Sequence, residues 1–275
     1  MSPQLPGTRV ASRRLRNAWA RVRPLPRPKY TSGVPRVGTG HTLDVYLPPT
    51  AQTLGAAAMS PEAVDHVCEV LDRLTDTKDH EAGRVFYKFA RAKYGPHWRY
   101  ADLLTMLWAA ATLIRPQAYL EIGVWRGRSA AVVGAICPEC AIYGFDAWLP
   151  GYYGIDNPGP EFVRKELAAA GHKGEVTLVS GHTRETVPEF LRQNPDLYVD
   201  LITVDGDKSI AVCASDLAST LPRLKVGGIV IQDDLPSVPT LRPVWDKLIR
   251  RDLRYVSWDF ADAGIGVAAA IRVGE

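Results

Sequence analysis

The sequence has few cysteines and no long apolar run, and both absences exclude classes of protein. Four cysteines in 275 residues are too few for a disulfide framework, so we expect reduced thiols. Cys137 and Cys140 form one C-x-x-C pair, but no second pair at zinc-site spacing accompanies it. The apolar run from Leu103 to Ile114 has twelve residues, whereas a membrane-spanning helix needs about twenty. With no secretory signal pattern at the N-terminus, we expect a cytoplasmic globular protein without a membrane span.

Acidic residues are absent from the first forty positions. Residues 1–40 contain nine Lys or Arg and several prolines, a composition that predicts a flexible basic arm. The remaining chain has 24 basic against 30 acidic residues, so the main body is acidic although the whole chain has a net charge of +3. The arm is either a solvated tail or a contact for nucleic acid, an anionic lipid surface or another partner.

The spacing of hydrophobic residues changes along the chain. Residues 41–116 read as a helical lead-in or cap, with a helix after Ser60 and Pro61 and further helices over 81–94 and 100–114. Over residues 117–275, short apolar strands alternate with helices. This pattern predicts an α/β fold with a doubly wound, Rossmann-like, mostly parallel sheet. The last two strands lack a long helix between them, so we expect an antiparallel edge strand.

Three loops follow predicted strands, where a doubly wound sheet binds its ligand. Gly123-x-x-x-Gly127 opens a helix but lacks the middle glycine of a pyrophosphate cradle. Asp146 ends the next strand, where a carboxylate can bind both hydroxyls of a ribose. Residues 180–183 follow the third strand and can border a flat base. The three loops favour a nucleoside without phosphates, although the first loop could also be an ordinary strand-to-helix turn.

Three aspartates follow the next two strands. Asp205, Asp233 and Asp234 are expected to converge because these strands are neighbours. Close carboxylates repel each other unless a cation lies between them, and an all-oxygen set favours Mg²⁺, Mn²⁺ or Ca²⁺ over zinc. Alternatively, Asp205 or Asp233 caps the following helix. The metal interpretation requires that the three side chains meet and that no lysine ammonium already neutralises them.

Lys208 lies three residues beyond Asp205 and could reach a substrate bound there. As a general base it would need a pKa depressed by a metal ion or by burial. An ion pair with Asp207 and simple solvent exposure are the alternatives.

Together these motifs resemble class I S-adenosylmethionine-dependent methyltransferases over about residues 117–272. The sequence is similar to metal-dependent O-methyltransferases, a group with catechol O-methyltransferase, macrolide-sugar O-methyltransferases and cephalosporin hydroxylase-like proteins. The ordered set that carries the resemblance is Glu121-x-Gly123-x-x-x-Gly127-x-Ser129, Asp146, residues 176–181, Asp205-Gly206-Asp207, and Gly227-Gly228 followed by Asp233-Asp234. One position departs from the close group, which has His where this chain has Lys208. Catechol-type enzymes have a lysine at a matching spacing.

The resemblance implies a role for each motif. The implied cofactor-binding residues are Glu121, Gly123 and Ser129 for the methionine part, with Trp125 and Gly127 in the same loop, Asp146 for the ribose, and His182 and Thr183 for the adenine edge. The implied metal ligands for Mg²⁺ or Mn²⁺ are Asp205, Asp233 and Asp234, with Lys208 and Asp205 in catalysis. The segment from Trp148 to Pro160, with Tyr152 and Tyr153, resembles part of an acceptor pocket, although these aromatic residues could instead pack in the core.

The expected function is metal-assisted O-methylation of a small-molecule acceptor, with S-adenosylmethionine as the cofactor. The acceptor would be a sugar of a natural product, a vicinal diol or a phenol. One alternative is an inactive methyltransferase-fold binding protein that uses its basic arm for a partner. Another is a nucleic-acid methyltransferase, but the acidic body and the lack of an Asn-Pro-Pro-Tyr type motif after the fourth strand argue against a nucleic-acid partner. A third alternative is an oxidative reaction such as hydroxylation, but the predicted strand ends carry no set of two histidines and one carboxylate that could bind iron. The lead-in helices could also pair subunits in a homo-oligomer.

Overall fold

The computed structural model describes residues 49–151, 154–260 and 266–274, together with the backbone of two three-residue strands near the N-terminus. These strands, β1 (Arg36–Gly38) and β2 (Asp44–Tyr46), pair antiparallel. Nearly all of the predicted basic arm lies outside the described residues, as do Tyr152 and Tyr153 of the predicted acceptor segment.

Four helices precede the main sheet: α1 (Ala51–Ala58), α2 (Pro61–Arg73), α3 (Lys78–Tyr94) and α4 (Leu103–Ile114). Local capping explains where they begin. The Ser60 hydroxyl accepts a hydrogen bond from the backbone N–H of Ala63 at 3.1 Å, and Asp102 and Thr105 form a capping box at the start of α4. Among the described helices, none combines the length and hydropathy needed to cross a bilayer.

Seven strands form the main sheet: β3 (Ala118–Ile122), β4 (Ala141–Asp146), β5 (Val176–Ser180), β6 (Val199–Val204), β7 (Leu224–Asp233), β8 (Tyr255–Phe260) and β9 (Val267–Arg272). The helices between them are α5 (Arg128–Ile136), α6 (Pro160–Ala170), α7 (Thr183–Gln193), α8 (Ile210–Thr220) and α9 (Arg242–Trp245), the last of which continues as a π turn.

The strand order is β5-β4-β3-β6-β7-β9-β8, and the first five strands are parallel. This confirms the predicted doubly wound, mostly parallel sheet. The reversed strand is β9, which lies one place in from the edge, between β7 and β8. Its position has a physical reason, since β9 is buried along its whole length whereas β8 is partly exposed.

The sheet has an apolar core on each face. Alternate residues of one strand point to opposite cores: Tyr119 joins the first, whereas Leu120 and Ile122 join the second. Helices α1, α2 and α4 pack in the first core beside α5 and α6. The lead-in therefore covers one face of the sheet. The division of the chain at residues 40 and 116 stays a prediction.

Candidate active site

A cavity of about 570 Å³ opens at the carboxyl edge of the parallel strands. Its volume suits a small organic ligand. It lies where the strand order reverses, because β3 is flanked by β4 on one side and by β6 on the other. The sequence-predicted residues that line it are Gly123, Trp125, Asp146, His182, Thr183, Asp205, Lys208, Asp233 and Asp234.

Gly123 brings the loops after β3 and β6 into direct contact. Its φ is +85°, and a Cβ atom there would lie 2.3 Å from the carbonyl oxygen of Asp205. Any side chain would therefore push the two loops apart. The glycine leaves a cradle beside the aspartate loop that a ligand can occupy.

Glu121 and Ser129 lie beneath this loop and do not line the cavity. Both are buried, and the Ser129 hydroxyl donates to Oε1 of Glu121 while Oε2 has no partner. Burial raises the pKa of the Glu121 carboxyl to about 8, and the charge of Asp205 adds to the shift. Gly127 packs against Val163. The structure thus places these three residues under the loop, where they support it.

Asp146 organises two loops at once. Its Oδ2 accepts from the backbone N–H of Trp125 at 2.7 Å, and its Oδ1 accepts from that of Trp148 at 2.6 Å. Both tryptophans have positive φ, at 48° and 50°, a conformation that is costly for bulky residues and often occurs at functional sites. Each carboxylate oxygen can accept a second hydrogen bond, so both remain available to ribose hydroxyls.

His182 and Thr183 border the cavity at the start of α7. The Nδ1 atom of His182 accepts from the backbone N–H of Arg184 at 3.4 Å and so caps the helix. Thr183 is buried, and its side chain faces Asp216 on α8. The N-terminus of α7 therefore forms the predicted base-binding edge. Contacts within the protein orient the side chains of His182 and Thr183 there.

The three predicted metal ligands do converge. Asp205, Asp233 and Asp234 each have an oxygen within 4.8 Å of the others. A left-handed backbone at Asp234, with φ of 60°, turns this residue back toward the cluster. One of its oxygens, Oδ1, is buried without a hydrogen-bond partner.

Lys208 already occupies part of this cluster. Its Nζ lies 2.6 Å from Oδ1 of Asp205 and 2.8 Å from Oδ2 of Asp234. Burial alone would lower the pKa of Lys208, but the two ion pairs outweigh burial and raise it above its usual range. Lys208 is thus a cation here, the opposite of what a general base requires. The second condition of the metal interpretation, a cluster free of ammonium, is not met.

Of the three carboxylates, Asp233 is the one whose negative charge is least balanced by a nearby cation. Burial raises its pKa well above the usual range, and the neighbouring Asp205 and Asp234 raise it further. Three carboxylates thus share one ammonium group, which leaves two formal negative charges in the cluster when all are ionised.

Asn157, which belongs to the predicted acceptor segment, lines the cavity, and so does Arg128, to which the sequence analysis gave no role. The Nε of Arg128 lies 3.3 Å from Oδ2 of Asp79 on α3, and its guanidinium lies 5.8 Å from the ring centre of Trp125. A basic first residue in the helix after the glycine loop was the available signal. Trp148 is partly buried and packs against the first core, the alternative named in the sequence analysis, and its role toward an acceptor stays a prediction.

Comparisons with known proteins agree with this geometry. Residues 120–235 match the protein family described as "Methyltransferase domain". None of the curated proteins matches the chain.

Three solved structures are similar in fold. CalS11, described as a TDP-rhamnose 3'-O-methyltransferase of calicheamicin biosynthesis, is 24% identical, with 78% of this chain and 96% of that chain covered and a TM-score of 0.51. The O-methyltransferase NovP is 17% identical, with coverages of 77% and 98% and a TM-score of 0.56. TomG from Streptomyces achromogenes, an O-methyltransferase solved with S-adenosylmethionine, is 17% identical, with coverages of 73% and 92% and a TM-score of 0.52.

The resemblance found in the sequence is thereby confirmed by the family match and by the fold. Residues 120–235 match the methyltransferase-domain family, and the chain has the Rossmann-like fold seen in these methyltransferases.

Proposed function

We propose that this protein transfers a methyl group from S-adenosylmethionine to a hydroxyl group of a small molecule. The observation that carries the proposal is the contact at Gly123, where the glycine loop meets the Asp205 loop within one cavity. A cofactor on the first loop would adjoin an acceptor on the second. Such positioning is the main requirement for an in-line methyl transfer.

The cofactor side of the cavity fits a nucleoside. Gly123 leaves the cradle open, Asp146 offers two carboxylate oxygens to a ribose, and Thr183 borders the expected base. S-adenosylmethionine supplies an electrophilic methyl group when bound. The chain's own contribution is to hold the donor and the acceptor at a fixed distance and to exclude water.

The charges of the cavity favour a small-molecule acceptor over nucleic acid. Among the described residues that line it, five are aspartates and two carry cationic side chains, Lys208 and Arg128. This charge balance repels a phosphate backbone. The descriptions of CalS11, TomG and NovP as O-methyltransferases support a hydroxyl acceptor, and that of CalS11 supports a sugar of a natural product.

Lys208 breaks the condition that the sequence analysis set for a metal site, but it neutralises only one of the three carboxylates, so a divalent cation could bind the acidic cluster if it displaced the ammonium group. Two uncompensated charges and the partnerless Oδ1 of Asp234 fit Mg²⁺ or Mn²⁺, which Asp205, Asp233 and Asp234 would hold. A bound divalent cation would lower the pKa of an acceptor hydroxyl. Lys208 would have to leave Asp205 and Asp234, and with them the ion pairs that raise its pKa, before it could accept a proton.

Calorimetry with S-adenosylmethionine and S-adenosylhomocysteine, followed by methyl-transfer assays on sugars, diols and phenols, tests the proposal. We expect S-adenosylhomocysteine to bind with or without Mg²⁺, and turnover to stop with a chelator and return with Mg²⁺. Equal turnover with a chelator would refute the metal part alone. Absence of S-adenosylhomocysteine binding would refute the whole proposal.

The variant Asp205→Ala separates the two halves of the site. It removes a carboxylate from the acidic cluster but none from the cofactor side. We expect it to abolish turnover while cofactor affinity changes less than about threefold. A large loss of cofactor affinity would contradict the assignment of Asp205 to the acceptor side.

A further inference from the structure

Helix α3 has an apolar outer face that the described part of the chain leaves exposed. The helix packs on α2, with Tyr87 and Ala90 buried on its inner side. On the opposite side Val85, Phe86 and Phe89 are 59%, 45% and 64% exposed. Four of the eight large hydrophobic residues that are exposed in the described chain belong to this one helix. Such a concentration of apolar surface is typical of an interaction site.

The two ends of this face carry opposite charges. Glu81 lies in the first turn of α3 and Lys93 in the last, and both are exposed. Within the described chain neither has an ion-pair partner, whereas Lys88 and Arg91 pair with aspartates of α2. The Nζ of Lys93 lies 5.9 Å from the ring centre of Phe89, so the positive charge adjoins the apolar centre of the face.

The pattern of the outer face is complementary to itself. Three pairs of exposed residues are equally spaced about the level of Tyr87: Glu81 and Lys93, Ala82 and Ala92, and Val85 and Phe89. Because a helix turns by about 100° per residue, all six positions fall within one sector of about 120°. A two-fold axis at the level of Tyr87 would therefore lay a second α3 antiparallel on the first and bring the two members of each pair together.

We propose that the outer face of α3 is the interface of a homodimer, in which the same helix of a second copy packs antiparallel on it. Each Glu81 then faces Lys93 of the partner subunit, and Val85 packs on Phe89 of the partner subunit. The small side chains of Ala82 and Ala92 let the helices approach closely. An unrelated partner would not require this symmetry, so the pattern favours a second copy of the chain.

The inference goes beyond the proposed reaction and does not depend on it. None of the six paired residues is among those that line the cavity, so variants of this face leave the proposed chemistry untouched. One helix pair is a small interface beside the roughly 1,600 Å² of a standard one. We therefore expect a reversible dimer with a dissociation constant on the order of 10 µM.

Sedimentation velocity of the full chain, from about 1 to about 200 µM, tests the interface. Phe89→Glu places a carboxylate at the apolar centre of each copy, and we expect it to raise the dissociation constant at least about 100-fold. The matched control is Leu253→Glu. Leu253 is 96% exposed but lies outside α3, so this variant should dimerise like the intact chain.

Charge reversal tests the antiparallel arrangement. Glu81→Lys alone and Lys93→Glu alone each bring like charges together at both ends of the interface, and each should weaken the dimer about tenfold. In a mixture of these two variants, every contact again joins opposite charges. We expect the mixed dimer to form within about threefold of the affinity of the intact chain.

Three results would overturn the inference. The first is an intact chain that stays monomeric at about 200 µM, and the second is a dimer that persists in Phe89→Glu. The third is a dimer that Phe89→Glu disrupts but whose affinity the mixture of Glu81→Lys and Lys93→Glu does not restore, since this would rule out the antiparallel pairing. Absence of methyl transfer has no bearing on these measurements, so the proposed function can fail separately.

Discussion

Lys208 occupies the space between two carboxylates that would also ligate a metal ion, so lysine and metal compete for the same oxygens. The Lys208→Met variant removes one competitor and leaves Asp205 and Asp234 uncompensated. We expect its affinity for Mn²⁺, followed by electron paramagnetic resonance, to rise at least about tenfold, because the ammonium no longer has to be displaced. Turnover should fall in the same variant if Lys208 takes the proton.

The matched control for this prediction is Lys225→Met. Lys225 forms a comparable ion pair, 2.9 Å from Asp200, but at the amino edge of the sheet. Its loss should leave Mn²⁺ affinity unchanged. An affinity of Lys208→Met for Mn²⁺ no higher than that of the intact chain would argue against a metal at this cluster.

Gly123 should tolerate no side chain. In Gly123→Ala the new Cβ would lie 2.3 Å from the Asp205 carbonyl oxygen, in addition to the strain of a positive φ. We expect a loss on the order of 3 kcal/mol in the free energy of unfolding, measured by urea titration, and loss of cofactor binding. Gly171→Ala has the strain, with φ of 98°, but no atom within 4 Å of the new Cβ, so it should cost only about 1 kcal/mol. Equal losses in both variants would show that the loop contact is unimportant.

Glu121 should make stability depend on pH. Its pKa of about 8 in the folded chain exceeds the value of an unfolded glutamate, so the folded state binds more protons between about pH 4.5 and pH 8. The free energy of unfolding therefore falls as pH rises through this window, by an amount on the order of 5 kcal/mol. Glu121→Gln cannot ionise and should lose that part of the slope in urea titrations from pH 5 to pH 8. An identical slope in both proteins would contradict the assigned protonation.

At the scale of elements, a buried contact joins the lead-in helices to α6. Glu166 accepts hydrogen bonds from the backbone N–H of Thr75 at 2.9 Å and from its hydroxyl, and lies 3.7 Å from the Nδ1 of His80. Glu166→Ala removes the buried carboxylate and with it both hydrogen bonds to Thr75. We expect a loss of about 2 kcal/mol and faster amide hydrogen exchange over residues 74–80. Glu161→Ala on the exposed face of α6 should change neither measurement, whereas unaltered exchange in Glu166→Ala would mean that the contact does not hold the lead-in.

The elements themselves were largely predictable from local patterns. The alternation of strands and helices predicted the doubly wound, mostly parallel sheet, and the cap at Ser60 marked the start of α2 correctly. Helix α3 begins at Lys78, ahead of the predicted residue 81, because Thr77 caps it. The sequence analysis identified no helix over Ala51–Ala58, since its small residues form no clear apolar stripe.

The site was predictable only where topology decides it. Parallel strands end at one edge, so Asp146, Asp205 and Asp233 had to lie near one cavity. The ion pair between Lys208 and Asp234 was not predictable. Asp234 reaches the lysine because its backbone is left-handed, and no local sequence pattern indicates that conformation. The pairing of Arg128 with Asp79 depends on how α3 packs against α2, which no local pattern in the sequence shows.

At the scale of the whole molecule, the lead-in and the sheet share one core. Leu54, Leu71 and Leu107 are fully buried in the same core as Tyr119 and Leu201. A fragment of residues 117–275 would expose that apolar face, so we expect it to show no cooperative thermal unfolding by circular dichroism. A fragment of residues 49–275 should unfold cooperatively. Cooperative unfolding of the shorter fragment would show that the catalytic region is an independent domain.

The place of β9 governs the order in which the sheet can be completed. Within the described chain, β8 pairs with β9 alone, although β8 comes first in sequence. Until β9 is in place, β8 has no partner strand in the described sheet and the outer edge of β7 is unpaired. A chain in which β9 has detached therefore exposes strand edges that can pair with other chains.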